Sequence, residues 1–205
     1  MRPMLSLAAV SAAFIICGCQ AGTPLFNGRD LSGWQEIGSS GAWTVADGVL
    51  QCSGQKDGYA WLATDRKYGD FELNCQWRLD ADGNSGVFLR VPDIQGRASM
   101  TGLEVQIRDD AADPDLTDVT GAVFRRIPAS GRYAKPLGQW NHLKLTMMGR
   151  KLRIELNGYL VSETDIDAVK PLGNDPPASA VPDEGFIGLQ NHGTPVQFRN
   201  IRIRY

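Results

Sequence analysis

Histidine and cysteine are scarce in this chain, and their scarcity argues against several kinds of site. The 205 residues contain two histidines, His142 and His192, and four cysteines. No group of these residues has the spacing of a zinc site. The sequence also lacks a phosphate-binding glycine loop and an EF-hand. We therefore expect no metal and no cofactor.

Long basic runs are also missing. The chain carries 21 basic and 23 acidic residues, which gives a formal net charge of -2. A protein that follows a phosphate backbone needs clustered positive charge. We therefore do not expect nucleic acid as a partner.

The one sizeable hydrophobic run, from Leu5 to Ile16, is too short to span a bilayer. It follows Arg2 and ends at Cys17-Gly18-Cys19, which resembles a bacterial lipobox. We expect a lipid on Cys19, with Cys17 removed together with the signal. A soluble secreted protein that is cleaved nearby is the alternative.

This interpretation divides the chain into three parts: a lipoprotein signal peptide (1–18), a short tether (19–24) and one folded domain (25–205). The acyl chains would hold that domain at a membrane surface. We expect a bacterial cell-envelope protein, on the periplasmic side or at the outer membrane. An exported fold allows Cys52 and Cys75 either to form a cross-strand disulfide or to remain as two buried thiols.

Sustained helical periodicity is absent after Thr23, where short strand-like segments alternate with turn signals. In Phe71–Leu79, apolar and polar residues alternate strictly, as in a half-buried antiparallel strand. Asn157-Gly158 is a strong hairpin signal. The pattern predicts an all-β sandwich or jelly roll.

The strand Gly102–Arg108 carries two kinds of chemistry on opposite faces. Leu103, Val105 and Ile107 share one face, and Glu104, Gln106 and Arg108 share the other. Long polar side chains in register can line a groove. They can equally form the wet outer face of a sandwich.

Short motifs cover nearly the whole chain after the apolar run: they are Leu25–Trp34, Trp43–Leu50, Tyr68–Leu73, Gly83–Arg90, Gly102–Asp110, Thr120–Ala122, Lys135–Asn141, Leu156–Gly158, Gly185–Gly193 and Phe198–Ile201. Together and in this order they resemble the 3-keto-disaccharide hydrolase domain family. The resemblance implies a concanavalin A-like lectin/glucanase jelly-roll sandwich of two curved antiparallel sheets, with sugars bound on the concave face. One departure from the family is Thr101, where we expect an aromatic residue.

The family's activity implies a hydrolase that cleaves 3-keto-glycosides. A ketone at carbon 3 makes the proton on carbon 2 acidic, so that a base can remove it. The aglycone then leaves from carbon 1, and water adds back. Direct displacement by two carboxylates across the glycosidic bond is the alternative chemistry.

Three residues are candidates for the catalytic steps. Glu104, in the middle of a strand, is the first choice for acid or base work. His192 is suited to proton transfer near neutral pH, although a histidine beside a glycine turn can simply bond the loop. Arg90 shares a strand face with Phe88 and is predicted to point into the groove and stabilise an enolate.

A second set of residues is expected to bind substrate, either by hydrogen bonds or by aromatic contact with a sugar face. The set comprises Asn84, Gln106, Arg108, Asp109, Gln190, Phe88, Tyr59 and Trp61. An acidic stretch could hold calcium through oxygen ligands, but its spacing fits no defined loop, so a solvated turn is expected. Its members are Asp109, Asp110, Asp113, Asp115 and Asp118.

Two other functions compete with the enzyme. A carbohydrate-binding lipoprotein without catalytic activity could use the same fold, because fold alone does not fix function. A structural partner for other envelope proteins is a third interpretation. The presence of Glu104 and His192 favours the enzyme, because a binding module needs no base.

Overall fold

The computed structural model describes residues 22–80, 82–110, 115–171 and 173–205. The predicted signal peptide and the lipidated Cys19 lie outside this range. The predicted tether joins the fold before its end, because Thr23 and Pro24 pair with Ile203 and Arg202. No helix in the described ranges is long and apolar enough to span a membrane.

Strands dominate the described residues, as the sequence predicts, and the only α-helix there is the short α1 (Ala98–Thr101). Two 3-10 turns occur at Ile166–Ala168 and Ala178–Ala180. The strands are β1 (Thr23–Pro24), β2 (Trp34–Ile37), β3 (Trp43–Ala46), β4 (Val49–Cys52), β5 (Ala60–Tyr68), β6 (Phe71–Leu79), β7 (Asn84–Val91), β8 (Leu103–Arg108), β9 (Asn141–Met148), β10 (Lys151–Leu156), β11 (Tyr159–Asp165), β12 (Gly185–Asn191) and β13 (Val196–Arg204).

Two antiparallel sheets pack against each other. The larger has eight strands in the order β11-β10-β9-β6-β13-β4-β3, with β1 also paired to β13. The smaller has five strands in the order β2-β5-β12-β7-β8. The all-β prediction is confirmed.

The alternation of β6 explains how the larger sheet contributes to the core. Its odd-numbered residues, from Phe71 to Leu79, are buried, and the residues between them are partly exposed. These buried side chains meet Val87, Val105 and Ile107 of the smaller sheet in one apolar cluster. The main core therefore lies between the sheets.

Cys52 and Cys75 are buried free thiols. They lie on β4 and β6, which are separated by β13. Neighbouring strands are about 4.8 Å apart, and β4 and β6 are separated by two such spacings. That distance is longer than a disulfide can span. Burial raises the pKa of the Cys75 thiol to about 12. The sequence left a disulfide and two buried thiols as alternatives, and the structure contains two buried thiols.

The outer face of the five-stranded sheet is only half covered. Trp61, Phe88 and Val91 on this face form a second apolar cluster with Ala98 of α1. At the free edge of the sheet, the segment 121–124 bonds to β8, with Phe124 N donating to Glu104 O at 2.8 Å. The covered half is a small core, and the other half holds a cavity.

Candidate active site

A cavity of about 530 Å³ lies on the outer face of the five-stranded sheet. We call it the Glu104 cavity. Six residues of the predicted site contribute to its lining: Asn84, Tyr59, Glu104, Gln106, Gln190 and His192. The register of the sheet places them together, because Asn84 pairs with Arg108 and Gly86 pairs with Gln106 across β7 and β8.

Two glycines make room for large side chains on this face. A Cβ atom at Gly86 would lie 2.8 Å from Glu104 Oε1, and one at Gly188 would lie 2.2 Å from Cε3 of Trp61. Neither distance is sterically allowed. Glu104 therefore leans across the strand over Gly86, and Trp61 fills the space above Gly188.

The carboxyl group of Glu104 is almost completely withdrawn from solvent. The residue is 4% exposed and faces Phe88 across the strand pair. Its Oε1 accepts a hydrogen bond of 2.6 Å from Gln190 Nε2. Burial raises the pKa of Glu104 from 4.5 to about 8, and this effect outweighs the bond from Gln190, which lowers the pKa. At neutral pH the group is mostly a carboxylic acid.

Asp118 holds the neighbouring polar residues in place. Its Oδ1 accepts a hydrogen bond of 2.5 Å from Gln106 Nε2, and its Oδ2 forms an ion pair with Arg108. Asp118 reaches the cavity because the chain after β8 turns back and bonds to that strand, with Gly121 N donating to Gln106 O at 2.9 Å. Asp118 belongs to the acidic stretch for which the sequence predicts only a solvated turn, and nothing in the sequence pattern indicates its contacts with Gln106 and Arg108.

Three amide oxygens of the lining have no hydrogen-bond partner in the described part of the chain. They are Asn84 Oδ1, Gln106 Oε1 and Gln190 Oε1, and all three are buried. A buried acceptor without a partner costs about 1–3 kcal/mol. A ligand rich in hydroxyl donors, such as a sugar, would satisfy these atoms.

His192 stands at the rim of the cavity, directly after β12. Burial, together with the positive charges of Lys56 and Arg108, lowers the pKa of His192 below 6.5. Asp118 acts in the opposite direction. The imidazole is therefore neutral at neutral pH and can accept a proton.

Two exposed cations, Lys56 and Arg97, line the cavity as well. Among the described residues no carboxylate forms an ion pair with either of them. Arg97 lies over the ring of Tyr59, 5.7 Å from its centroid, and Tyr59 accepts a hydrogen bond from Ser99 N. Both cations lie in loops, so no alternation of polar and apolar residues in the sequence indicates that they reach the cavity.

The prediction that Arg90 points into the groove is wrong. Between β7 and β12 the register shifts, so that Leu89 and Arg90 together oppose Ile187 alone, and Arg90 has a φ of 51°. This bulge breaks the alternation. The guanidinium is fully buried and bonds to Gly69 O, Gly149 O and Asp70, away from the cavity.

Trp61 and Phe88 do not contact the cavity either. Both are fully buried, with ring centroids 5.6 Å apart in an edge-to-face arrangement. The cover provided by Ala98 and its neighbours makes them core residues of the outer face. Of the predicted aromatic contacts, only Tyr59 lines the cavity.

Arg108 and Asp109 belong to a neighbouring cavity rather than to this one. Asp109 Oδ2 accepts a hydrogen bond from Asp82 N, and Asp110 Oδ2 accepts one of 2.5 Å from Thr120 N. Asp113 lies outside the described residues. Within them, no group of three acidic, histidine or cysteine side chains could hold a metal ion.

Comparison with known proteins identifies a family whose profile matches this chain. The family profile described as 3-keto-alpha-glucoside-1,2-lyase-like domain matches residues 21–204. A relative from Bacteroides thetaiotaomicron, named 3-keto-disaccharide hydrolase, is 27% identical over an alignment that covers 88% of this chain and 77% of the relative.

Solved structures show the same fold. Two crystal structures from Parabacteroides distasonis, each described as a "putative glycosyl hydrolase", match with TM-scores of 0.74 and 0.71. They are 25% and 28% identical and cover 89% and 83% of this chain, and 93% and 98% of theirs. Carbohydrate binding module CBM66 from Bacillus subtilis matches at a TM-score of 0.56 and 17% identity, over 84% of this chain and 96% of its own. The predicted jelly-roll fold class is confirmed.

The space above Gly86 can be tested directly. We expect Gly86→Ala to push the Glu104 carboxyl group off its bond with Gln190, because the new Cβ would lie 2.8 Å from Oε1. Glycoside hydrolysis should fall while the far-ultraviolet circular dichroism spectrum stays unchanged. Gly69→Ala is a steric control that turnover should tolerate, because the backbone there has no positive φ and a Cβ would come no closer than 3.5 Å to another atom. Full turnover by Gly86→Ala would show that the position of Glu104 does not matter.

Proposed function

The chain belongs to the family of 3-keto-alpha-glucoside-1,2-lyase-like domains, and on that premise we propose that it is a carbohydrate hydrolase that cleaves 3-keto-glycosides. The relative named 3-keto-disaccharide hydrolase supports this substrate class. Two crystal structures described as glycosyl hydrolases, at 25% and 28% identity, support hydrolysis of carbohydrates more broadly.

One observation carries the proposal. The Glu104 cavity holds a carboxyl group that stays protonated to a pH of about 8, together with an imidazole whose pKa is lowered. At neutral pH the site therefore contains an acid with a proton to give and a base able to take one. The environments of the two groups shift their pKa values in opposite directions, which assigns the acid role to Glu104 and the base role to His192.

The two groups can divide an elimination between them. His192 takes the proton from carbon 2, the electron pair forms a double bond between carbons 1 and 2, and the bond from carbon 1 to the leaving oxygen breaks. Glu104 gives its proton to that oxygen. Water then adds its hydroxyl to carbon 1 and its proton to Glu104, while His192, whose imidazolium proton exchanges with solvent, delivers a proton to carbon 2.

Arg97 takes the role that the sequence suggested for Arg90. Its positive charge acts on the carboxyl group of Glu104, where it lowers the pKa against the effect of burial. The same charge would stabilise the enolate oxygen that forms when carbon 2 loses its proton. Asn84, Gln106 and Gln190 would meanwhile hold the sugar hydroxyls through their unpartnered oxygens.

Direct displacement at carbon 1 is the competing mechanism, and the structure supplies a second carboxylate for it. Asp118 lines the same cavity as Glu104. Its two oxygens are already engaged by Gln106 and Arg108, which makes it a poor nucleophile and a poor base. We therefore favour elimination.

A binding protein without catalytic activity is the second candidate function, supported by the structural match to CBM66. That match shows the fold alone. A binding site gains nothing from a desolvated carboxyl group with a raised pKa, since a neutral amide would bind a hydroxyl at lower cost. Glu104 therefore favours the enzyme.

We also propose that the enzyme works at the bacterial cell envelope, anchored by a lipid on Cys19. The apolar run Leu5–Ile16 and the following Cys17-Gly18-Cys19 support this location. Residue 22 is the first described residue, and Thr23 already pairs with β13, so only a short tether would separate the lipid from the fold.

The pH dependence of kcat/KM reports both groups. We expect activity to rise as His192 loses its proton, at a pH below 6.5, and to fall above a pH of about 8 as Glu104 ionises. Glu104→Gln and His192→Ala should each lower kcat by about a hundredfold or more, and each should remove one limb of the profile. His142→Ala, on the opposite sheet, is the matched control and should leave the profile unchanged. Normal rates in both site variants would remove these residues from the mechanism.

Isotope exchange separates the two mechanisms. If carbon 2 loses its proton, turnover in deuterated water should place deuterium on that carbon in the product, and a substrate deuterated there should react more slowly. Mass spectrometry of the product and the two rates give the answer. A product with only protium on carbon 2, together with equal rates, would support displacement and give Asp118 the second role.

A further inference from the structure

A second cavity, of about 630 Å³, lies at the end of β8 and is lined by Arg108, whose ion-pair partner Asp118 lines the first cavity. We call it the Trp77 cavity, and its apolar lining consists of Trp77, Leu79, Ala134, Pro136 and Leu137. We propose that the Trp77 cavity is the leaving-group subsite and that it binds an apolar, ring-bearing aglycone. This proposal rests on the proposed function, because it assumes that the sugar occupies the Glu104 cavity.

The strand β8 connects the two cavities. Glu104 and Gln106 line the first cavity, and Arg108 lines the second. Asp118 lines the first cavity while it forms an ion pair with Arg108. At about 3.3 Å per residue, Glu104 and Arg108 are roughly 13 Å apart along the strand. A glycoside that reaches from one cavity into the other must therefore extend well beyond a single sugar ring.

The polar groups of the Trp77 cavity are largely engaged already. Asp110 accepts from Thr120 N, and Asn141 Oδ1 accepts from Lys135 N and from Asn157 Nδ2, both at 2.8 Å. Arg108 is paired with Asp118. What remains for a ligand is mainly apolar surface, which includes Leu137 at 45% exposure. Cavities of this size with apolar walls are typical binding sites for small organic molecules.

One buried polar atom of the lining has no partner among the described residues, and its hydrogen-bonding character is opposite to that of the buried unpartnered atoms in the first cavity. Trp77 is only 2% exposed, and its indole Nε1 is buried without a hydrogen-bond partner in the described residues. An indole N–H can only donate. In the Glu104 cavity the buried unpartnered atoms are amide oxygens, which can only accept. The first cavity therefore suits hydroxyl donors, and the second suits a ring that carries an acceptor oxygen.

Paired substrates test this assignment in the full-length protein. We compare kcat/KM for a 2-naphthyl 3-keto-glucoside with kcat/KM for the methyl 3-keto-glucoside of the same anomer. Leu137→Asp should lower the ratio of the naphthyl to the methyl value by about tenfold or more, since apolar contacts in a pocket discriminate on that scale. Leu160→Asp is the matched control, because Leu160 is 44% exposed but lies on β11. Its ratio should equal that of the wild type.

Direct binding provides the second readout. Isothermal titration with 2-naphthol should show saturable binding that Leu137→Asp weakens and Leu160→Asp leaves unchanged. Cleavage of both glycosides with an unchanged ratio in Leu137→Asp, or no saturable binding of 2-naphthol, would overturn the leaving-group assignment and leave the proposed function intact. Failure to cleave either glycoside would instead overturn the proposed function, and the assignment with it.

Discussion

The desolvation of the Glu104 carboxyl group is the constraint on which the rest of the site depends. The group sits on a sheet face beside the buried ring of Phe88, and its one amide donor, Gln190, does not compensate for the lost water. The folded protein therefore binds the Glu104 proton more tightly than the unfolded chain does. Between the usual pKa of 4.5 and about 8, this carboxyl group lowers the stability of the fold progressively as the pH rises.

Several features of the fold serve to keep that carboxyl group in place. Gly86 leaves the space into which Glu104 leans, and the chain around Phe124 bonds to the backbone of Glu104 from the free edge of the sheet. Asp118 binds Gln106 and Arg108 on the same strand. Glu104 and the three amide side chains of the site thus lie on strands of the five-stranded sheet, whereas Asp118, Lys56 and Arg97 come from loops.

The alternation of polar and apolar residues was enough to predict an all-β sandwich or jelly roll and the polar face of β8, and the family resemblance supplied the concanavalin A-like fold class. Glu104, Gln106 and Gln190 lie where a regular strand would put them, and the structure brings them together. The same rule gave the wrong direction for Arg90, because a bulge with a positive φ turns its side chain to the other face. A bulge of this kind cannot be recognised from the alternation of polar and apolar residues. Trp61 failed because α1 covers it, which depends on tertiary packing. Asp118, Lys56 and Arg97 reach the cavity from loops whose path the sequence does not specify.

The proton transfer proposed for Glu104 requires it to be a carboxylic acid at neutral pH, and titration of this one group tests that requirement. Carbon-13 NMR of the side-chain carboxyl groups, with Glu104→Gln to assign the signal, would follow the ionisation of Glu104 in the ligand-free protein. We expect a midpoint at a pH of about 8. A midpoint near the usual value of 4.5 would mean that Glu104 is a carboxylate at neutral pH, and it would contradict its role as the proton donor.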